Sequence, residues 1–248
     1  LIASIVTLAE RPDLTEAVWA MPNDWPTFMQ KDPVAKLFYG RLPEVFPEHQ
    51  LVGLGPGGDV VGKVNSVPFE WAGSDEDLPP RGWDAILELA FEGREQGVRP
   101  TAVSLIEARI VPEHRGAGLS AELLAAAREN ARSLGFSDLF GPVRPPGKAQ
   151  EPHTTMADYV SRTRADGLPH DDWLRVHVRM GARVVSVCPL SMVIPGTLAQ
   201  WREWTGLPLR ETAATEVPGA LVPVWVSLEH DHAVYVEPGV WVHHRLVA

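Results

Sequence analysis

Two places in this chain carry residue types spaced for chemistry. The first is the run Val111-Pro112-Glu113-His114-Arg115-Gly116-Ala117-Gly118-Leu119-Ser120. Apolar alternation from Ala102 to Ile110 precedes it, and an amphipathic stretch from Leu119 to Leu134 follows it. The glycines therefore sit in a turn that leads a strand into a helix. Such a turn aims several backbone N–H groups at one point, at the positive end of the helix dipole, and makes an anion site. Gly116 and Gly118 have no Cβ, so a phosphate can come close to the main chain. The second place is His177, near the end of a helical segment that Gly181 stops. Histidine titrates near neutrality and can donate or accept a proton at working pH.

The elements that must position these residues are legible from periodicity and turn residues. Residues 1–8 read as a strand, and residues 27–42 as a helix that Pro33 interrupts. Residues 50–54 and 60–67 form a hairpin across the Gly- and Pro-rich turn 55–59. That hairpin contains Gly57-x-x-x-x-Gly62-Lys63, which nearly matches a nucleotide-phosphate loop. Val64 stands where a magnesium-binding hydroxyl belongs, and the glycines lie between strands, so the match is discarded. A helix over 83–95, a strand over 101–111 and a helix over 119–134 follow. In the last of these Leu119, Leu123, Ala127, Ala131 and Leu134 share one face. Then come a strand at 138–143 and a Pro-rich insertion at 144–170 holding a short helix at 155–163. A helix at 171–180, a strand at 182–192, a helix at 195–204 and strands at 221–228 and 233–242 complete the chain. An insertion of this length is uncommon in a compact domain unless it is functional.

Composition excludes several classes. The net charge of −10 argues against a nucleic-acid binder, which needs a basic face. Local positive charge near the loop comes from Arg109, His114, Arg115, Arg128 and Arg132. Cys188 is the single cysteine, so no intramolecular disulfide forms, and its apolar neighbours make it a buried thiol. The opening run Leu1 to Leu8 is too short to span a membrane and has no basic start. A cytoplasmic location is the expectation. His230, His232, His243 and His244 recur near the C-terminus without cysteine or a carboxylate cluster, so no metal site is expected.

The segment Arg115-x-x-Gly118-x-Ser120 resembles the Arg/Gln-x-x-Gly-x-Gly/Ala pyrophosphate loop of the GNAT superfamily of acyl-CoA-dependent N-acyltransferases. Ser120 departs from the usual Gly or Ala but is small. The resemblance implies an α/β (α+β) GNAT fold: a central mixed and mostly antiparallel twisted sheet, helices on both faces, and splayed central strands. Residues 1–194 would form the acyltransferase core, and 195–248 a C-terminal β extension packed on it. It also implies acetyl-CoA or another acyl-CoA as co-substrate. Ile110 and Val111 would lie along pantetheine, and Arg115, Gly116, Ala117, Gly118, Leu119 and Ser120 would hold the pyrophosphate. The family's usual reaction is direct attack of an amine on the thioester. Its leaving-group acid is often a tyrosine four residues before a Gly-Phe pair. Here His177 stands in that place before Gly181-Ala182.

Three further readings follow from the residues. Glu107 on the central strand is a general base, or else the partner of Arg109 or Arg179. Thr155, with Thr154 and His153, faces substrate, or else caps the short helix after it. Trp25, Trp71 and Trp173 wall an acyl or acceptor pocket, or else belong to the core. The expected function is transfer of a short acyl group to an amine. One alternative on the same scaffold is a malonyl-CoA decarboxylase that passes the acyl group to a carrier-protein thiol, using His177 with Thr154 and Thr155. Another is a CoA-binding or interaction protein without catalysis. Expected partners are a small-molecule or carrier-protein acceptor and at most a second copy of the chain, with no nucleic acid and no membrane.

Overall fold

Alternating strands and tight turns build one sheet, and the amphipathic helices cover its two faces. The computed structural model describes residues 2–116 and 118–246. In chain order the elements are β1 (Ser4–Thr7), α1 (Thr15–Trp19), α2 (Pro33–Phe38), α3 (Leu42–Val45), β2 (Gln50–Leu54), β3 (Val60–Phe69), α4 (Gly82–Gln96), β4 (Ala102–Ile110), α5 (Leu119–Ser133), β5 (Asp138–Val143), α6 (Met156–Val160), α7 (Asp172–Arg179), β6 (Arg183–Thr197), α8 (Leu198–Thr205), β7 (Ala213–Thr215), β8 (Val224–Ser227) and β9 (His232–Arg245). Pro33 starts α2, because a proline is tolerated in the first helical turn. The single helix expected over 27–42 is thereby split into short pieces.

The sheet runs β1-β2-β3-β4-β5-β9-β8-β7, with β6 paired to the other edge of β9. All pairs are antiparallel except β4 with β5. The resemblance's mixed, mostly antiparallel sheet is therefore present. One expectation changes. The segment after 194 does not lie beside the core, because β9 sits inside the sheet between β5 and β6. The strand expected to end at 192 runs on to Thr197, since it keeps pairing with β9.

One face buries Leu51, Val64, Leu123 and Ala127, so α5 packs there. Gly62 permits this close approach: a Cβ at that position would come within 2.8 Å of a Leu123 methyl and 3.0 Å of the Arg109 carbonyl. Leu134, placed by periodicity on the same stripe, is the C-cap of α5 and is exposed. The other face buries Val67, Phe69, Ala102 and Ile106 against Ile86, Leu87 and Ala90 of α4.

Asp32 and Asp84 tie α2, α4 and β6 together. Asp32 caps α2 by accepting from Ala35 N at 2.8 Å, and Asp84 accepts from Val193 N at 3.1 Å. Both carboxyls are buried, and each keeps one oxygen without a partner. Burial raises both above the ordinary carboxylate range, and the Asp32 charge raises Asp84 further. A carboxyl raised on folding stabilises fully below its unfolded value, and that stabilisation is lost as pH rises through the folded one. Asp84→Asn should therefore raise Tm relative to the parent by an amount that grows between pH 4 and pH 8. Thermal melts across roughly that range check it, and a pH-independent difference would place the charge elsewhere.

Candidate active site

β4 and β5 pair at only two positions, Val103↔Leu139 and Ser104↔Phe140, and then part. Beyond that point β4 keeps its antiparallel bond to β3. Val111 N donates to Val61 O at 3.0 Å, and Gly62↔Ile110 and Val64↔Ala108 are the intervening partners. In an antiparallel ladder the groups of alternate residues point to opposite sides. Ala108 and Ile110 thus turn their main-chain N–H and C=O groups into the opening gap. Val111 does not. Its N–H is held by Val61, and its C=O accepts from His114 N at 3.0 Å. The expectation that Val111 lies along pantetheine is corrected on this ground; Ile110 turns its N–H into the gap, while its C=O accepts from Arg115 Nε at 3.3 Å.

The register of β3 against β4 shifts between Asn65 and Ser66, which leaves Ile106 without a partner. This bulge puts Ile106 and Glu107 on the same face. Ile106 joins the core under α4, and its carbonyl accepts from Trp83 Nε1 at 2.9 Å. Glu107 enters a buried charge network. Lys63 Nζ lies 2.8 Å from one carboxylate oxygen and Arg109 Nη2 2.6 Å from the other. Trp25 Nε1 donates at 3.2 Å, and the Tyr39 hydroxyl donates as well. Burial alone would raise the Glu107 carboxyl, but Lys63 and Arg109 hold it below its usual value. Four donors occupy a carboxylate with about four acceptor positions. Glu107 is therefore a fixed anion and a poor base, which corrects the general-base reading. Arg109 is its partner, as the other reading had it, while Arg179 is not among its contacts. Tyr39 carries no signal in the sequence, and Lys63 enters it only through the discarded phosphate-loop match. The available signal was a lysine in the middle of the apolar run 60–67.

The loop between β4 and α5 has the expected form. Gly116 and Gly118 have φ of 79° and 81°, the left-handed region that favours glycine. Nothing lies within 4 Å of a Cβ built at either position. Gly118 is the N-cap of α5 and supplies no side-chain cap, so the first N–H groups of this 15-residue helix are left for a ligand. Leu119 buries its side chain in the core, which leaves only its main chain to the loop. Arg115 donates through Nε to the Ile110 carbonyl at 3.3 Å and pairs with Asp24 at 2.7 Å. Ala117 lies outside the described residues.

His177 lies on α7, whose start is fixed by Asp171. That buried carboxylate accepts from Trp173 N at 2.9 Å, Leu174 N at 3.1 Å, Tyr159 Oη at 3.0 Å and Gly147 N at 3.1 Å. The 144–170 insertion is thus folded back as a brace for α7. His177 is buried, and its Nδ1 lies 2.9 Å from His244 Nε2. Burial pushes its pKa down to about 4. The premise that His177 titrates near neutrality is corrected: at pH 7 it is a neutral imidazole. Thr155 is corrected too. It is exposed and caps α6, its Oγ1 accepting from Asp158 N at 3.1 Å, and Thr154 Oγ1 donates to Glu151 at 3.1 Å. The four C-terminal histidines do not converge: His243 bonds Asp138 at 2.8 Å on one face of β9, while His244 meets His177 on the other.

A cavity of about 860 Å³ gathers these features. Its wall takes in Glu107 to Ile110 from β4, Arg115 and Gly116 from the loop, Ser120 from α5, Gly141 to Val143 from β5 with Arg144 just after it, and Trp173 and His177 from α7. Trp25 and Trp83 line it as well; Trp71 packs on Phe140 instead. Thr154 and Thr155 are not part of the wall. Arg144, at its far end, bonds buried Glu237 at 2.9 Å and lies 5.4 Å from the Trp25 ring.

The chain is 32% identical over 274 residues to the arginine N-acetyltransferase avaD of Aspergillus versicolor, with 98% of this chain and 94% of the relative covered. Among solved structures it resembles the loading GNATL domain of CurA from Lyngbya majuscula, with TM-score 0.62 and 16% identity over 98% of this chain and 97% of that one. It also resembles the GphF GNAT-like decarboxylase, with TM-score 0.57 and 18% identity over 98% and 100% of the two chains. No known family profile matches the sequence. The chain belongs to the GNAT superfamily of acyl-CoA-dependent N-acyltransferases. It is an acyltransferase, which sets aside the reading of a non-catalytic CoA-binding protein.

The loop geometry makes a direct prediction. Gly118→Val places a β-branched residue at a φ of 81° and methyls where an anion must approach. The variant should fold with a lower Tm and lose the rise in Tm that CoA gives the parent. An undiminished rise would show that the phosphate sits elsewhere.

Proposed function

We propose that this chain transfers an acetyl or other short acyl group from acyl-CoA to the amine of a small amino-acid acceptor, with arginine the first to test. The observation that carries the reading is the shared cavity. One space of about 860 Å³ meets the open edge of β4, the glycine loop at the start of α5, and His177. The N–H and C=O groups of Ala108 and the N–H of Ile110 suit pantetheine amides, and the uncapped helix start suits a pyrophosphate. The acceptor reading rests on the 32% identity to an arginine N-acetyltransferase. Trp25, Trp83 and Trp173 also suit a planar cation.

The chemistry needs one proton moved twice. As the amine nitrogen forms its bond to the thioester carbon, the carbon–sulfur bond breaks. The amine proton passes to His177 Nε2, and the same nitrogen returns it to the CoA thiolate. Nδ1 faces His244, so Nε2 is the nitrogen left for the cavity. A histidine that is neutral at pH 7 has the lone pair this step requires. Glu107 keeps a fixed negative charge under the cavity and orders Tyr39, Lys63 and Arg109.

The decarboxylase alternative draws on the fold likeness to the loading domain and to GphF. It required Thr154 and Thr155 beside His177, and both hydroxyls are engaged locally outside the cavity wall. The amine acceptor is therefore preferred.

Acetyl-CoA with arginine should release CoA thiol, while malonyl-CoA alone should yield neither acetyl-CoA nor CO₂. His177→Ala should lower kcat by about 10²–10⁴ with the Kd for CoA nearly unchanged. His177→Tyr, which restores the residue usual in the family, should recover part of the loss. Full activity in the alanine variant would move the proton transfer to another residue, and turnover of malonyl-CoA alone would favour the decarboxylase.

A further inference from the structure

We propose that His244 is a positioning residue that sets the working tautomer of His177 and shares the charge of the proton His177 takes up. The inference rests on the proton-transfer role proposed above for His177. Its own basis is a direct ring-to-ring hydrogen bond, Nδ1 of His177 to Nε2 of His244 at 2.9 Å, closed off from water. His177 lines the cavity, and His244 lies behind it on β9, opposite Leu139 of β5.

Only one hydrogen fits between two neutral imidazoles. If His177 Nδ1–H donates, then Nε2 of His177 is a bare lone pair aimed at substrate. If His244 Nε2–H donates, then His177 carries its proton on Nε2 and cannot act as a base. His244 therefore decides which form is present. A catalytic histidine is commonly oriented by a carboxylate or carbonyl. Here the orienting group is a second neutral imidazole. His244 Nδ1 is buried and makes no well-formed hydrogen bond among the described residues; the Met180 carbonyl acts weakly to raise its pKa. Burial drives its pKa down to about 3, and His177, Arg128 from α5 and His243 on the same strand push in the same direction. No carboxylate contacts either ring of the pair among the described residues.

An imidazolium on His177 alone would be a buried charge without a counter-ion. The Nδ1–H bond to His244 Nε2 spreads that charge over both rings, while the proton itself stays on His177, the ring whose pKa is less depressed. The amine proton enters at Nε2 of His177 and leaves from it for the thiolate. No proton or electron is gained or lost over the cycle.

The test uses the full-length chain. His244→Leu should lower kcat by about 10-fold or more, with CoA affinity within about twofold of the parent. That loss is an order below the full proton-transfer contribution. His244→Gln, whose amide oxygen can accept from Nδ1–H, should recover part of it. His244→Glu supplies a carboxylate and should move the acid limb of kcat/KM upward by about one pH unit or more. Recovery in His244→Gln, which restores the acceptor, separates this role from one that only fills space. The double variant His177→Ala/His244→Leu should be no slower than His177→Ala. In the unmutated protein, ¹⁵N-labelled histidine should show a coupling across the N–H···N bond; this readout does not depend on any variant folding. Parent-like kcat and pH profile in His244→Leu overturn the inference, as do additive losses in the double variant or absence of the coupling. If His177→Ala is itself fully active, the underlying reading has failed; if it is crippled while His244→Leu is normal, only this inference has.

Discussion

Much of this structure follows from the parting of β4 and β5. Main-chain N–H and C=O groups are obligatory hydrogen-bonding groups, and a strand in a sheet normally satisfies them on both sides. After Ser104 and Phe140, β4 has a partner only in β3. The groups of Ala108 and the N–H of Ile110 then face an opening, the place proposed above for pantetheine. The start of α5 meets the same cavity through Ser120.

Keeping the gap open requires support from both sides. On the β4 side, the bulge at Ile106 turns Glu107 toward Lys63, Arg109, Tyr39 and Trp25. Buried ions are costly unless well paired, so this network holds one geometry rather than adding much net stability. On the β5 side, β9 pairs the edge of β5 away from β4, joining Asp138 to Val143 with Val240 to Arg245. β9 is also the strand that brings His244 behind His177. A segment expected to be peripheral thus supplies an inner strand of the sheet and a contact of the proposed proton-transfer residue.

The insertion between β5 and α7 has a comparable role. Asp171 gathers Gly147 N, Tyr159 Oη and two α7 amides around one carboxylate. Lys148, buried as well, donates to the carbonyls of Glu151 and Leu221, each at 2.7 Å. These polar contacts fix the start of α7, and a helix fixed at its start carries His177 two turns later at a defined place.

The sequence by itself determined what local chemistry can encode. Alternation marked the strands, Gly116 and Gly118 marked a turn that only glycine adopts easily, and the stripe Leu119-Leu123-Ala127-Ala131 marked the buried face of α5. The resemblance in the loop located the family. The register of His177 before Gly181 singled out the residue that lines the cavity. What the sequence could not give were properties created by distant contacts. Glu107 reads as a base until Lys63 and Tyr39, 44 and 68 residues away, occupy its oxygens. Thr155 reads as a catalyst or a cap, and in the structure it caps α6 away from the cavity wall. A histidine's charge at pH 7 depends on burial and on what its second nitrogen meets, and for His177 that is His244, 67 residues on. Strand order is likewise a matter of which edges remain unpaired once the chain has folded. The sequence could delimit β9 approximately, but only the vacant edge of β5 placed it inside the sheet.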